Sequence, residues 1–222
     1  MRKLKLFPYF AIILLLASSC LFASNSDEGR KLKNKIYNFS SKNIDVNMIT
    51  KWKLSGLYLE KYDDNYTFIK NPKLRILNSR LITNISSETA IDPTGKMDEI
   101  YLKRNVFINR NDSLDNNTVK LYTSYAIFYL SRDLVETDRD VTIITSDSTT
   151  TGNGLSADLN KGLITILSDA KRMVKEDNKI QIIKGNQMVY NTKTDEWTVK
   201  NKPANDLKKS IKNKVTTTFN LE

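Results

Sequence analysis

The chain of 222 residues contains no histidine and only one cysteine, and both shortages restrict what it can do. Histidine is the commonest general base and metal ligand in proteins, so its absence removes the usual chemistry of hydrolases and metalloenzymes. The one cysteine, Cys20, lies close to the N-terminus, which leaves the rest of the chain without a disulfide, a thiolate metal site or a thiol nucleophile. We therefore expect a protein that is not an enzyme and that uses no metal and no cofactor.

Helical periodicity is scarce as well. Apolar residues instead alternate with polar ones in short runs, separated by turn signals such as Asp92-Pro93-Thr94-Gly95 and Asn160-Lys161-Gly162. Many short strands at regular spacing predict an all-β fold, namely a sandwich, a barrel or a jelly roll. Similar hairpins recur at roughly 30–35 residues, the spacing of stacked repeats in which no unit buries its apolar face alone.

The clearest alternation lies in residues 121–175. Because successive side chains of a strand point to opposite faces, each run places an apolar stripe on one side of a sheet. The pattern predicts that Leu121, Tyr125 and Ile127 share a face and that Phe128 points outward. Nine residues are predicted to line the apolar face, namely Tyr125, Ile127, Tyr129, Leu134, Val141, Ile143, Leu155, Ile164 and Ile166. Alternation alone leaves two interpretations open, a trough that holds a ligand and a core in which these side chains pack against one another.

The charge is strongly basic, with 35 Lys and Arg against 25 Asp and Glu. A net charge of +10 is typical of proteins that meet nucleic acid, a membrane surface or an acidic ligand. Lysines scattered over a solvated surface explain the same number, so both interpretations stay open.

The first 23 residues have the three parts of an export signal: a basic start, an apolar run at residues 6–16 and small residues before Cys20. Residues 16–20 resemble a relaxed bacterial lipobox, in which Cys20 is lipidated. Cleavage after Ala23 and an uncleaved helical anchor are the alternatives. All three export the remaining chain, which argues against nucleic acid as a partner.

Four segments are predicted along the chain. Residues 1–23 form the signal or anchor, residues 24–43 a polar tether, residues 44–203 the β domain, and residues 204–222 a basic tail. No motif for catalysis or phosphate binding falls in the β domain.

Three stretches of the β domain resemble a known family. Residues 121–134, 140–143 and 150–170 are similar to the strand, closing strand and Gly-Leu hairpin of the LptC and LptA proteins of lipopolysaccharide export, the OstA-like family. The N-terminal segment followed by one exported β domain resembles LptC more than LptA. Two departures are the extension with a further strand unit at residues 180–199 and the lipobox-like segment, and both keep an LptA-like role open.

The resemblance implies a twisted, half-open antiparallel β-jelly roll built of repeated hairpins. It also implies that the nine apolar residues hold acyl chains of lipopolysaccharide or a related glycolipid. The implied partners are an inner-membrane ABC transporter and another OstA-like jelly roll, joined by edge-strand addition. The implied location is the periplasm, anchored to the inner membrane. The alternative is a surface-exposed structural or adhesive lipoprotein whose β core fills itself.

Overall fold

The computed structural model describes residues 29–78, 81–112, 118–176 and 179–200, together with the backbone of residues 216–220. Fifteen strands in one antiparallel sheet account for most of this part of the chain, and Leu130–Arg132 forms a short 3-10 helix. The strands are β1 Leu32–Ile44, β2 Thr50–Tyr62, β3 Thr67–Lys70, β4 Lys73–Asn78, β5 Leu81–Ser86, β6 Thr89–Asp92, β7 Glu99–Asp112, β8 Thr118–Tyr129, β9 Leu134–Ile144, β10 Ser148–Asp158, β11 Leu163–Glu176, β12 Lys179–Gly185, β13 Gln187–Asn191, β14 Glu196–Lys200 and β15 Thr216–Asn220. The prediction of a jelly roll built from antiparallel strands is confirmed.

The sheet is interrupted along a line of breaks near the middle of its long strands. Asn71 and Pro72 separate β3 from β4, and Asn186 separates β12 from β13. In β7 the break falls at Arg104 and Asn105, which both have positive φ angles, 61° and 49°. We call this series of breaks the corner line, because each strand that crosses it passes from one part of the sheet to another.

The corner line divides the sheet into two layers, which are defined by which segments pair. Layer A consists of residues 32–37 of β1, 58–61 of β2, β3, β6, 99–103 of β7, 125–129 of β8, 134–137 of β9, 155–158 of β10, 163–168 of β11, β13 and β14. Layer B consists of residues 40–44 of β1, 50–55 of β2, β4, β5, 106–112 of β7, 118–123 of β8, 141–144 of β9, 148–152 of β10, 170–176 of β11, β12 and β15.

Hydrogen bonds between neighbouring strands hold the corner line together. The Asn71 amide donates to the Glu88 carbonyl at 2.9 Å, and the Glu88 amide donates to the Arg104 carbonyl at 3.0 Å. Farther along, the Thr123 hydroxyl donates to the Asp140 carbonyl at 2.9 Å. These bonds satisfy backbone groups where the regular ladder is interrupted, so the corner costs little in unpaired polar atoms.

Gly152 allows β10 and β11 to approach closely at the corner line. A Cβ atom at Gly152 would overlap the Ile166 side chain and the Ser168 carbonyl oxygen. Two residues later, Gly154 has a φ of +70°, a conformation that glycine adopts without steric cost. The sequence Gly152-Asn153-Gly154 therefore allows the sheet to bend at this point.

In β8 the buried face changes parity where the strand crosses the corner line. In β8, Leu121 and Thr123 are buried on one side of the bend, and Ala126 and Phe128 are buried on the other. The register of β8 against β9 shifts between Thr123 and Ile127, and a bulge of this kind turns every following side chain to the other face. The prediction that Phe128 points outward is wrong, since its exposed fraction is 0%.

One apolar core joins the two layers. Its side chains come from both, including Ile100, Phe128 and Ile166 of layer A and Ile85 and Ile143 of layer B. Layer B also touches layer A directly through one cation: the Arg172 guanidinium lies 5.2 Å from the Trp197 ring. That ring in turn stacks on Tyr190 at 4.7 Å between centroids.

Two of the predicted segment boundaries are wrong. Residues 32–43 of the predicted tether belong to β1, which pairs with β2 along most of its length. Residues 216–220 of the predicted tail form β15, which pairs with β12. β1 escaped prediction because nearly all of its side chains are exposed and no apolar alternation marks it. The predicted signal and Cys20 lie outside the described residues.

Candidate functional site

The structure separates the nine predicted lipid-binding residues into two groups. Five point into the interior between the layers and are at most 5% exposed: Val141, Ile143, Leu155, Ile164 and Ile166. Four are half-buried on the outer face of layer A: Tyr125, Ile127, Tyr129 and Leu134. The expectation that all nine share one surface is wrong. The bulge in β8 inverts the parity after Thr123 and turns Tyr125, Ile127 and Tyr129 outward, and Leu134 of β9 lies opposite Tyr129 on the same outer face.

The interior is lined by more residues than the alternation in residues 121–175 predicted. Inward positions of both layers contribute to a single cluster, which includes Ile69, Ile85, Leu102, Ile108, Phe128, Met188 and Tyr190. Phe128 was missed because a strict period of two was continued through the bulge. The available signal was the polar pair Thr123 and Ser124, which interrupts the apolar run where the bend falls.

A buried cation lies at the side of the interior opposite the corner line. Arg110 of layer B is 5% exposed, and its Nε and Nη2 atoms have no hydrogen-bond partner. Burial lowers the pKa of the Arg110 guanidinium, while the charges of Asp112, Asp133 and Asp158 act in the opposite direction. Asp133 lies in the turn before β9, and Asp158 is the last residue of β10; both belong to layer A. Their charges therefore act on the Arg110 guanidinium from the opposite layer. The arrangement offers two unpaired N–H groups to an anionic or hydroxyl group.

The outer face of layer A has a shallow groove of about 500 Å³. Tyr125, Ile127 and Leu167 provide its apolar surface, and Glu136 and Asp138 lie beside them. The Tyr125 ring stacks with Tyr101 at 6.5 Å between centroids. Two of the four outward residues therefore border this groove, to which Leu155 also contributes.

Both ends of the sheet present strands with a free edge in the described part of the chain. β1 pairs only with β2, and β14 pairs only with β13. β1 exposes Leu32, Ile36 and Tyr37, by 47%, 52% and 64%. An edge of this kind is a template for pairing with a further strand.

The described ranges contain neither a cluster of metal ligands nor a helix that could span a membrane. No group of three or more His, Cys, Asp or Glu side chains there is arranged to hold a metal ion. No helix in that part of the chain is long and apolar enough to cross a membrane.

An antiparallel sheet bent along a corner line around one apolar interior defines a half-open β-jelly roll. The family model for LptC-related lipopolysaccharide-assembly proteins matches residues 10–175, about three quarters of the chain, and the chain belongs to this family. A comparison with curated proteins found no match. Membership gives the chain a role in lipopolysaccharide transport or assembly at the cell envelope, in a family of lipid transport components. Strands β12 to β15 lie beyond the matched residues.

Proposed function

We propose that the domain is a periplasmic bridge component that carries the acyl chains of lipopolysaccharide or a related glycolipid between its two layers. In this proposal the chain receives lipid from an inner-membrane ABC transporter and passes it to another jelly-roll protein. The observation that carries the proposal is the single apolar interior, to which strands from β2 to β13 contribute. Exposing an acyl chain to water costs about 0.8 kcal/mol per CH₂ group, so crossing an aqueous compartment requires such an apolar surface.

Lipid entry requires the two layers to separate, because the interior side chains pack against one another in this structure. Leu155, Ile166 and Phe128 are each 0% exposed. Separation on the side opposite the corner line leaves the hydrogen bonds of the corner intact. The Arg172 to Trp197 contact is a described interaction that such an opening would break.

Arg110 is the side chain best placed to meet the polar part of the lipid. Its unpaired Nε and Nη2 atoms lie inside the interior and far along β7 from the corner at Arg104 and Asn105. A phosphate or carboxylate accepts two parallel N–H bonds from a guanidinium, which gives Arg110 a defined partner on an anionic headgroup.

The free edges of β1 and β14 are the proposed contacts with the neighbouring components. An incoming strand would add its backbone hydrogen bonds to either edge. The family match ends within β11, and the C-terminal edge of the sheet is formed by strands beyond it. Transfer to the next protein would therefore use the edge of β14 and not that of β11.

Attachment to the inner membrane is part of the same proposal. Lipidation of Cys20 is the favoured anchor, and an uncleaved helix is the alternative. Mass spectrometry of the mature N-terminus distinguishes them. A lipid mass on Cys20 supports the first, and an intact Met1 supports the second.

Site-specific photo-crosslinking tests the lipid-binding interior. Benzoylphenylalanine would replace Ile143 or Ile164, which point inward, and Thr142 or Thr165, their neighbours on the outer faces. Illumination of growing cells should give glycolipid adducts at the inward positions and none at the matched outward ones.

The competing candidate is a structural or adhesive surface lipoprotein with a core that fills itself. The tight burial of the interior side chains favours it. It predicts no lipid adduct at Ile143 or Ile164, and accessibility of the domain to protease on intact cells. That combination would overturn the transport proposal.

A further inference from the structure

A group of exposed cations lies on the outer face of layer B, on strands between β1 and β8 of the chain. We call this group the cationic face; its members are Lys42, Lys53, Lys73, Arg75 and Lys120. They lie on β1, β2, β4 and β8, and all point away from the interior, since Leu54 and Leu74 between them are buried. Within the described residues of β1, β2, β4, β5, β7 and β8 in layer B, no outward position carries a carboxylate.

Like charges lie directly opposite one another on this face. Lys53 is paired in register with Lys42 on one side and with Arg75 on the other. Like charges at directly opposed positions destabilise an antiparallel pair. In the described part of the chain, none of the three forms an ion pair. The face therefore holds repulsion that an anionic partner would relieve.

An aromatic pair and a groove lie among these cations. Phe107 and Tyr122 contact each other at 4.9 Å between ring centroids, and Tyr122 is 42% exposed. The groove has a volume of about 470 Å³ and is lined by Lys53, Lys73 and Arg75 together with Phe107. Tyr side chains beside lysines are typical of the boundary between water and a bilayer.

We propose that the cationic face docks the domain on a bilayer surface that contains anionic phospholipid. The row from Lys42 on β1 to Lys120 on β8 crosses five strand spacings, about 24 Å in all. A row of this length meets several lipid headgroups at once, which favours a bilayer over a single small anion. The proposal concerns an outer surface and does not depend on lipid binding in the interior.

The test measures which face of the full chain approaches the lipid. A fluorescent amino acid would be placed at Ser86, beside the groove on layer B, or at Thr165, on the outer face of layer A. The chain would be reconstituted in vesicles of phosphatidylcholine alone or mixed with phosphatidylglycerol. Spin-labelled lipid headgroups then quench a fluorophore near the surface. We expect quenching at Ser86 only, and only with phosphatidylglycerol.

A triple variant and a charge-matched control complete the experiment. Lys53→Gln, Lys73→Gln and Arg75→Gln together should shift the docking equilibrium on the order of a hundredfold and abolish the quenching. Lys70→Gln, Lys103→Gln and Lys193→Gln remove the same charge from the layer A side and should leave it unchanged. Equal quenching on both faces, no dependence on phosphatidylglycerol, or an equal response of the two variants would overturn the proposal. Absence of quenching in both vesicles would also overturn it and would favour an acidic protein as the occupant.

Discussion

The two layers are built from the same long strands, yet their outer faces differ in charge. The outer face of layer A carries both acids and bases: Lys35 pairs with Glu60 at 2.7 Å, and Glu99 and Glu136 lie on β7 and β9, on either side of β8. The outer face of layer B at its N-terminal end presents Lys53 opposite Arg75, with no carboxylate beside them. In β2 the charge of the outer face therefore changes sign where the strand crosses the corner line.

This difference shows that the corner line organises the surface as well as the core. In β2, Lys53 lies before Gly56 and Glu60 lies after it, within one strand. A uniform solvated surface would have spread both signs over both layers. The separation instead gives the domain one face of mixed charge and one of positive charge, so that a flat anionic surface meets only one of them favourably.

The largest expected effect tests the inner and outer sides of layer A. Phe128→Ala should destabilise the protein by about 3–5 kcal/mol, because it removes a fully buried ring from the core. Ile127→Ala, one residue away on the outer face, should cost about 1 kcal/mol. Urea unfolding of both variants measures the difference. Equal losses would show that the parity of β8 is not inverted at the bulge.

The strands and turns of this fold were largely predictable, because they depend on local signals. Asp92 of the predicted turn accepts hydrogen bonds from the amides of Thr94 and Gly95, as an Asp-Pro-Thr-Gly turn requires. The family could be predicted as well, since residues 121–170 alone carried the resemblance that the match over residues 10–175 confirms.

The composition of the interior could not be predicted fully, because it depends on contacts between distant residues. The bend in β8 is held by the Thr123 hydroxyl on the Asp140 carbonyl, 17 residues away. A period of two gives no warning of such a bulge. Ile143 and Ile166 are buried in the interior, whereas Tyr125 and Ile127 lie half-buried on the outer face. The unpaired Nε and Nη2 atoms of Arg110 could not be recognised either, since the burial of this side chain arises only when the layers pack.

The next effect tests the corner line that separates the layers. Gly152→Ala should destabilise the protein by about 1–3 kcal/mol, because the added methyl group overlaps Ile166 and the Ser168 carbonyl. Thr151→Ala, on the neighbouring outward position, serves as the control and should change stability by less than half as much. Thermal unfolding reports both. A neutral Gly152→Ala variant would mean that β10 and β11 do not approach closely here.

A smaller effect compares two carboxylates, one at the end of each layer. Burial raises the pKa of Asp133 beside layer A. Burial also opposes ionisation of Asp147 beside layer B, but the Thr145 hydroxyl and the Arg172 charge outweigh it, and the pKa of Asp147 is lowered. Arg172 lies 2.7 Å from the Asp147 carboxylate. The two acids therefore affect the pH dependence of stability with opposite signs.

The stability contributed by Asp147 is present above its unfolded pKa, about 3.9, and is lost as the pH falls through its lower folded value. That of Asp133 is present below the unfolded pKa and is lost as the pH rises through the raised folded value. At neutral pH, Asp147→Asn should thus lower the free energy of unfolding and Asp133→Asn should raise it, each by no more than about 1 kcal/mol. Melting curves from pH about 3 to 7 check this. Shifts of the same sign would contradict it.

The smallest effect returns to the two outer faces and isolates the repulsion on layer B. Lys53→Gln removes a charge that faces both Lys42 and Arg75, so it should stabilise the free protein by a few tenths of a kcal/mol at low salt. High salt screens exposed charges and should abolish the gain. Lys103→Gln on layer A, whose cross-strand neighbours are Thr89 and Tyr125, should be neutral at both salt concentrations. If Lys53→Gln proved neutral at low salt, the cationic face would hold no repulsion for an anionic surface to relieve, and charge complementarity alone would have to support docking.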